Sequence, residues 1–194
     1  TSQLPTVHDA LQGPHYAAFC DNLEDARIAV SRLQTALSRM SRPVMAVDLE
    51  GSLGGGKRTK RHIALLQVCV DGAEGDDPVT FVFDTHCSPD LLRSQGEDTL
   101  RTLLQDQKIA KVLHCCHGDV ASLFEEYDII VRGAFDTAIA DGLLTGRHFN
   151  LNRSLSRVLI DWLGDDVVHL THKGVLTHEV GMFEPRPLAH HLFV

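Results

Sequence analysis

The feature that most constrains this chain is an apolar segment of strand length, residues 44–49, with two acids at its end. Asp48 and Glu50 are two residues apart, and residues at that spacing in a β-strand project from the same face. Carboxylates beside buried apolar surface are costly unless a cation compensates them. The sequence therefore predicts either a cation site or a solvent-exposed strand end at this position.

The pattern of apolar residues along the chain indicates one α/β domain. A chain of 194 residues is typical of a single domain and can bury a sizeable core. Strands are expected at 15–20, 44–49, 63–70, 79–83 and 110–113, and helices at 23–37, 88–107 with a break near Gly96, 118–126, 136–144 and 153–163. Three sequential strands followed by alternating helix and strand predict a mixed sheet flanked by helices.

Composition indicates the cellular compartment expected for this chain. No apolar run reaches the length of a membrane span and no N-terminal signal pattern is present, so we expect no membrane association. The five cysteines are an odd number and include no C-x-x-C pair, which favours a reducing compartment. We therefore expect an intracellular protein, in the cytoplasm or the nucleus.

The charge distribution is less typical of a nucleic-acid binder. The net charge is −8, whereas nucleic-acid binders usually present a basic face. Acids that hold metals also lower the net charge, so local charge is more informative. The basic cluster, Lys57, Arg58, Lys60 and Arg61, follows the acidic strand directly. It either contacts phosphates or is a solvated loop.

A second group of polar residues follows the strand expected at 110–113. The His-Cys-Cys-His sequence at 114–117 leads to Asp119, which is expected to open a helix. Asp119 either shares a metal with the first two acids or is a helix N-terminal acid favoured by the macrodipole. His117 either approaches a substrate or is an ordinary turn residue. Zinc ligands are normally spaced by two or more residues, so the sequence does not indicate zinc.

Five segments in this order together resemble the 3′–5′ exonuclease domain of the DEDD nuclease superfamily. They are Asp-x-Glu at 48–50, the strand at 63–68 with Gln67, the segment at 111–123 with Asp119, Phe-Asp-Thr at 135–137 and Arg-Pro-Leu at 186–188. The last two resemble the RNase D-like branch, and the first and fourth are most similar to the Egalitarian-like group. The resemblance covers roughly residues 15–194 and implies an RNase H-like fold.

The resemblance also implies an activity. It implies metal-dependent hydrolysis of phosphodiester bonds at the 3′ end of single-stranded RNA or DNA, with RNA favoured. Asp48, Glu50 and Asp119 would hold two Mg²⁺ ions, for which Mn²⁺ could substitute, because hard oxygen ligands suit these metals. Gln67, His117 and the basic cluster would contact the nucleic acid.

The chain departs from that family at its end. The third catalytic motif carries a tyrosine or histidine base and an aspartate, and the base falls about seven residues after the equivalent of Leu188, whereas this chain ends six residues after it. We therefore expect residues 1–194 to be a single exonuclease-like domain whose C-terminal part is missing. Such a chain should be poorly active.

Two other functions are compatible with the sequence. One is a catalytically inactive nuclease fold that serves as an RNA-binding or adaptor module, with a protein partner in an RNA-processing complex. The intact acids favour catalysis, and the net charge and the missing aspartate favour the adaptor. The other is a DNA-proofreading exonuclease. Among the remaining residues, Asp84 is expected to be structural, Asp136 to cap a helix, and Trp162 to pack in the core.

Overall fold

The chain divides into two compact units, Thr1–Phe135 and Asp136–Val194. A computed structural model describes residues 18–53, 61–71, 78–146 and 153–164. Three members of the basic cluster, the hairpin turn expected near 71–77 and the Arg-Pro-Leu segment at 186–188 lie largely or wholly outside the described residues.

A six-stranded mixed sheet is the main element of the described structure. Its strands are β1 (Ala18–Cys20), β2 (Val44–Ser52), β3 (His62–Val70), β4 (Val79–Asp84), β5 (Ala110–Leu113) and β6 (Ala134–Asp136). The strand order is β1-β4-β3-β2-β5-β6. Strands β2, β3 and β4 are antiparallel neighbours, whereas β1 is parallel to β4 and β5 is parallel to β2. The predicted mixed sheet is confirmed, and β2 lies between β3 and β5.

Helices occur where the apolar periodicity predicted them. They are α1 (Leu23–Ser38), α2 (Asp90–Arg93), α3 (Leu100–Gln105), α4 (His117–Tyr127), α5 (Thr137–Thr145) and α6 (Leu155–Leu163). Asn22 caps α1, because its side-chain oxygen accepts a hydrogen bond from the Asp25 N–H at 3.0 Å. No helix within the described ranges is both long and apolar enough to cross a membrane.

One face of the sheet forms the hydrophobic core. Alternate residues of the three antiparallel strands are buried on this face: Met45, Val47, Leu49, Leu66, Val68, Val70, Phe81 and Phe83. Helix α1 packs against this part of the sheet through small and aliphatic residues, including Ala29, Val30 and Leu33. Successive strand residues alternate between faces, so the opposite face receives the polar residues of β2.

The second unit contains a buried acid that links two helices. Asp141 on α5 accepts hydrogen bonds from the Arg153 guanidinium at 2.5 Å and from the Trp162 indole at 2.9 Å. Arg153 also pairs with Asp161. The expectation that Trp162 packs in the core is wrong, because the residue is 52% exposed and is held through its N–H.

Two acids at element ends have the structural roles expected of them. The side chain of Asp136 accepts from the N–H groups of Ala138 and Ile139, and so caps α5. The side chain of Asp84 accepts from the Cys87 N–H at 2.8 Å in the turn after β4. The sequence does not predict the short strand β6, of which only Asp136 falls within the helix expected at 136–144.

Lys111 is a buried cation at the second position of β5. Its ammonium group donates hydrogen bonds to the carbonyl oxygens of Asp106 and Ile109, the latter at 2.9 Å. Burial lowers the pKa of Lys111 from 10.5 to about 8, against a smaller opposing effect of Asp106. The folded chain therefore releases this proton at a lower pH than the unfolded chain.

Replacing Lys111 with methionine should change how stability depends on pH. Below about pH 8 the wild type bears the full cost of burying the ammonium group, and between about 8 and 10.5 that cost is relieved, so its stability rises. As the pH rises through this window, the free energy of unfolding of the wild type should increase by up to about 3 kcal/mol relative to that of Lys111→Met. Urea unfolding at several pH values measures the difference. If the free energies of unfolding of the two proteins changed in parallel with pH, the prediction would be contradicted.

Candidate metal and nucleic-acid site

Strand β2 carries two acids on the face opposite the core. Asp48 is exposed and Glu50 is partly exposed, while Val47 before them and Leu49 between them are buried. The alternation of exposed and buried residues follows directly from the period of a β-strand. The prediction that Asp48 and Glu50 share one face of β2 is therefore confirmed.

A bulge follows the second acid. Glu50 pairs with Leu65, but the next pair is Gly51 with Ile63, so the register shifts and Ala64 is left without a partner on β2. Gly51 has φ of +150°, and a Cβ atom there would lie 2.1 Å from the His62 carbonyl oxygen. Only glycine fits this position, since any side chain would push β3 away from the strand that carries the acids.

Gln67 is the cross-strand partner of Asp48 on β3. Its side-chain amide donates a hydrogen bond to the Asp48 carboxylate at 3.4 Å. The sequence predicted that Gln67 contacts nucleic acid, and that role stays a prediction. In this structure the amide contacts one of the acids of the site.

The surroundings of Asp48 disfavour its charge. Protein packed near this carboxylate displaces water, and this burial raises its pKa, although the residue is open to solvent. The Leu49 backbone N–H and the nearby His114 lower the pKa in part. The carboxylate is therefore incompletely compensated, which is the electrostatic condition that a bound cation relieves.

His114 was considered from the sequence only as a zinc ligand. Ala46 pairs with Val112 in the parallel ladder between β2 and β5. Continuing that register by two residues places His114 opposite Asp48, in agreement with its effect on the carboxylate. The signal for this neighbour is the pairing of the two strands, which the local sequence does not contain.

Asp119 lies at the same end of the sheet. It is in the first turn of α4 and is 8% exposed, and α4 begins four residues after β5. Because β5 is parallel to β2, the ends of both strands meet at one edge of the sheet. The turn between β5 and α4 contains Cys115 with φ of +55°, a strained conformation typical of functional turns.

The other residues predicted to contact nucleic acid differ in their surroundings. His117 is exposed and is the first residue of α4. Arg61 is mostly buried, with hydrogen bonds to groups of its own chain. Lys57, Arg58 and Lys60 lie outside the described residues.

The ligand set itself remains a prediction. In the described ranges, no group of three or more histidine, cysteine, aspartate or glutamate side chains is already arranged to hold a metal ion. The chemistry of the acids nevertheless fits one, because Asp48, Glu50 and Asp119 offer hard oxygen donors and the charge of Asp48 is only partly compensated.

Solved structures with the same architecture include two RNase D enzymes. RNase D of Trypanosoma brucei in complex with GMP has a TM-score of 0.61 and 22% identity, covering 89% of this chain and 50% of that one. Escherichia coli RNase D has a TM-score of 0.54 and 16% identity, covering 77% of this chain and 34% of that one. The protein therefore has the RNase H-like fold of these exoribonucleases, as predicted.

The sequence comparisons define the family. A family model described as 3′–5′ exonuclease matches residues 19–170, so the chain belongs to the 3′–5′ exonuclease family. It is also 25% identical to the Egalitarian protein homolog of Caenorhabditis elegans over 155 residues, 80% of this chain. The chain spans about a quarter of that relative, 24% of its length. The resemblance drawn from the five sequence segments is confirmed.

Replacing Gly51 with alanine should be far more destabilising than the same change at Gly96. Both glycines have positive φ, but a Cβ at Gly51 meets backbone atoms at 2.1 and 2.9 Å, whereas nothing lies within 4 Å of one at Gly96. We expect a loss of at least about 3 kcal/mol for Gly51→Ala and about 1 kcal/mol for Gly96→Ala. Urea unfolding of both variants checks this, and equal losses would show that the bulge tolerates a side chain.

Proposed function

We propose that this domain is a divalent-metal-dependent 3′–5′ exonuclease that hydrolyses single-stranded nucleic acid, RNA in preference to DNA. The observation that carries the proposal is the placement of three acids in a chain of the 3′–5′ exonuclease family. Asp48 and Glu50 leave one face of β2, and Asp119 opens the helix that follows the parallel neighbour β5.

The proposed roles follow from this placement. Asp48, Glu50 and Asp119 would hold the metal ions, which when bound supply an activated water and stabilise the leaving 3′ oxygen. Mg²⁺ is the expected metal and Mn²⁺ its substitute, since the donors are carboxylate oxygens. Gln67 would keep the Asp48 carboxylate oriented through its amide. His117 and the basic cluster residues Lys57, Arg58 and Lys60 would contact the nucleic acid.

Similarity to an enzyme crystallised with RNA favours RNA over DNA as the substrate. RNase D of Trypanosoma brucei in complex with RNA U12 is 26% identical, with a TM-score of 0.50, and covers 66% of this chain and 39% of that one. That enzyme is crystallised in complex with RNA U12, and the similarity supports RNA as the class of substrate here. We place the activity in the cytoplasm or nucleus, because the cysteine pattern suits a reducing compartment.

The alternative is an RNA-binding or adaptor module that works with a protein partner. The net charge of −8 favours the adaptor role, since a module that works through a protein partner does not itself need a basic face for a polyanion. The match to an Egalitarian protein homolog is compatible with either function. The two differ in whether the acids act on a substrate.

A nuclease assay tests the proposal. In its full natural length, the protein should shorten 5′-labelled RNA from its 3′ end when Mg²⁺ is present. Asp119→Asn should abolish this shortening, because it removes one of the three proposed metal ligands, while Asp90→Asn, a change at an exposed acid on α2, should not.

The assay is read on RNA and DNA oligonucleotides with Mg²⁺ and with Mn²⁺. If the folded wild type leaves every oligonucleotide intact, the enzyme proposal fails. The adaptor function then takes its place.

A further inference from the structure

Arg61 lies at the junction of three chain segments. Its Nη1 donates hydrogen bonds to the carbonyl oxygens of Leu53 at 2.6 Å and Gly118 at 3.0 Å, and lies 3.4 Å from the Ser122 hydroxyl. Its Nε lies 3.0 Å from a carboxylate oxygen of Glu125. The side chain is only 13% exposed, so the guanidinium is used within the fold.

These segments are the ones that carry the acids. Leu53 is three residues beyond Glu50, and Gly118 immediately precedes Asp119. A Cβ at Gly118 would lie 3.5 Å from the Leu53 carbonyl oxygen, so the two backbones are in close proximity. One guanidinium bonded to both carbonyls therefore sets the separation between the end of β2 and the first turn of α4.

We propose that Arg61 is a positioning residue that holds the turn carrying Asp119 against the end of β2. The inference rests on the proposed function, because it concerns the geometry of the same site. It replaces the phosphate contact that the sequence suggested for Arg61. The planar guanidinium offers several N–H groups in fixed directions, whereas a lysine ammonium is a compact point charge on a flexible stem.

The other end of α4 has its own attachment. One carboxylate oxygen of Glu126 accepts a hydrogen bond from the Ile63 N–H at 2.8 Å, and the other lies 3.0 Å from Nδ1 of His62. The helix therefore stays docked on β3 through Glu126 when Arg61 is changed. Loss of Arg61 should loosen the first turn of α4 without unfolding the domain.

The test compares Arg61→Lys and Arg61→Gln with Arg32→Gln, a control at an exposed arginine of α1. The first readout is hydrogen exchange of the Val120 amide, which donates to the Cys116 carbonyl at 2.9 Å in the first turn of α4. Both Arg61 variants should speed this exchange at least tenfold, and the control should not. The Ala26 amide in the first turn of α1 serves as the internal reference.

The second readout is the affinity for Mn²⁺, measured by titration calorimetry. Both Arg61 variants should bind Mn²⁺ at least threefold more weakly than the wild type. The lysine variant is decisive, because a phosphate contact would be largely retained by the positive charge. In that case Arg61→Lys would behave like the wild type, and Arg61→Gln would lower the salt slope of RNA binding by about 0.7.

Glu125→Gln distinguishes a positioning role of Arg61 from a phosphate contact, because the two roles predict different effects of this change. If Arg61 is a positioning residue, losing its partner carboxylate should also speed Val120 exchange and weaken Mn²⁺ binding. If Arg61 contacts phosphate, removing a competing acid should instead tighten RNA binding and leave Val120 unchanged.

The outcomes distinguish this inference from the proposed function. A wild type that fails to bind Mn²⁺ counts against the proposed function, and Val120 exchange alone then decides whether Arg61 holds the turn. If the wild type binds Mn²⁺, an equal affinity of Arg61→Gln overturns the inference. Unchanged Val120 exchange in both Arg61 variants overturns it in every case.

Discussion

The pairing of β2 with β3 on one side and β5 on the other is the constraint on which the rest of the structure depends. It directs Met45, Val47 and Leu49 into the core, so Asp48 and Glu50 must leave the opposite face. A slip of one residue would exchange the two faces and bury both carboxylates. The packing that stabilises the sheet therefore also determines where the acids point.

The same pairing sets the electrostatic surroundings of Asp48. Asp48 is partly desolvated, which raises its pKa, but it stays in contact with solvent, with the Gln67 amide and near His114. An open sheet face allows water to carry part of the compensation that a metal would supply. Folding places the Asp48 carboxylate partly out of water, whereas metal binding requires it to be charged. The protein groups around it compensate that charge only in part.

Features that depend on local periodicity could be predicted from the sequence, and features that depend on distant contacts could not. The shared face of Asp48 and Glu50 follows from a two-residue period, and the helix at 23–37 follows from the helical spacing of its apolar residues. The role of Arg61 depends on a carbonyl 57 positions away, so a run of basic residues suggested a phosphate contact instead. The proximity of His114 to Asp48 likewise depends on the parallel register of β2 and β5.

We propose that Asp48, Glu50 and Asp119 together hold divalent ions. Anomalous diffraction from crystals grown with Mn²⁺ tests this proposal, because the metal is located without reference to activity. We expect anomalous peaks in contact with oxygens of all three carboxylates, as two ions about 3.5–4 Å apart when the site is filled. Mn²⁺ peaks elsewhere on the protein, with none at these three acids, would contradict it.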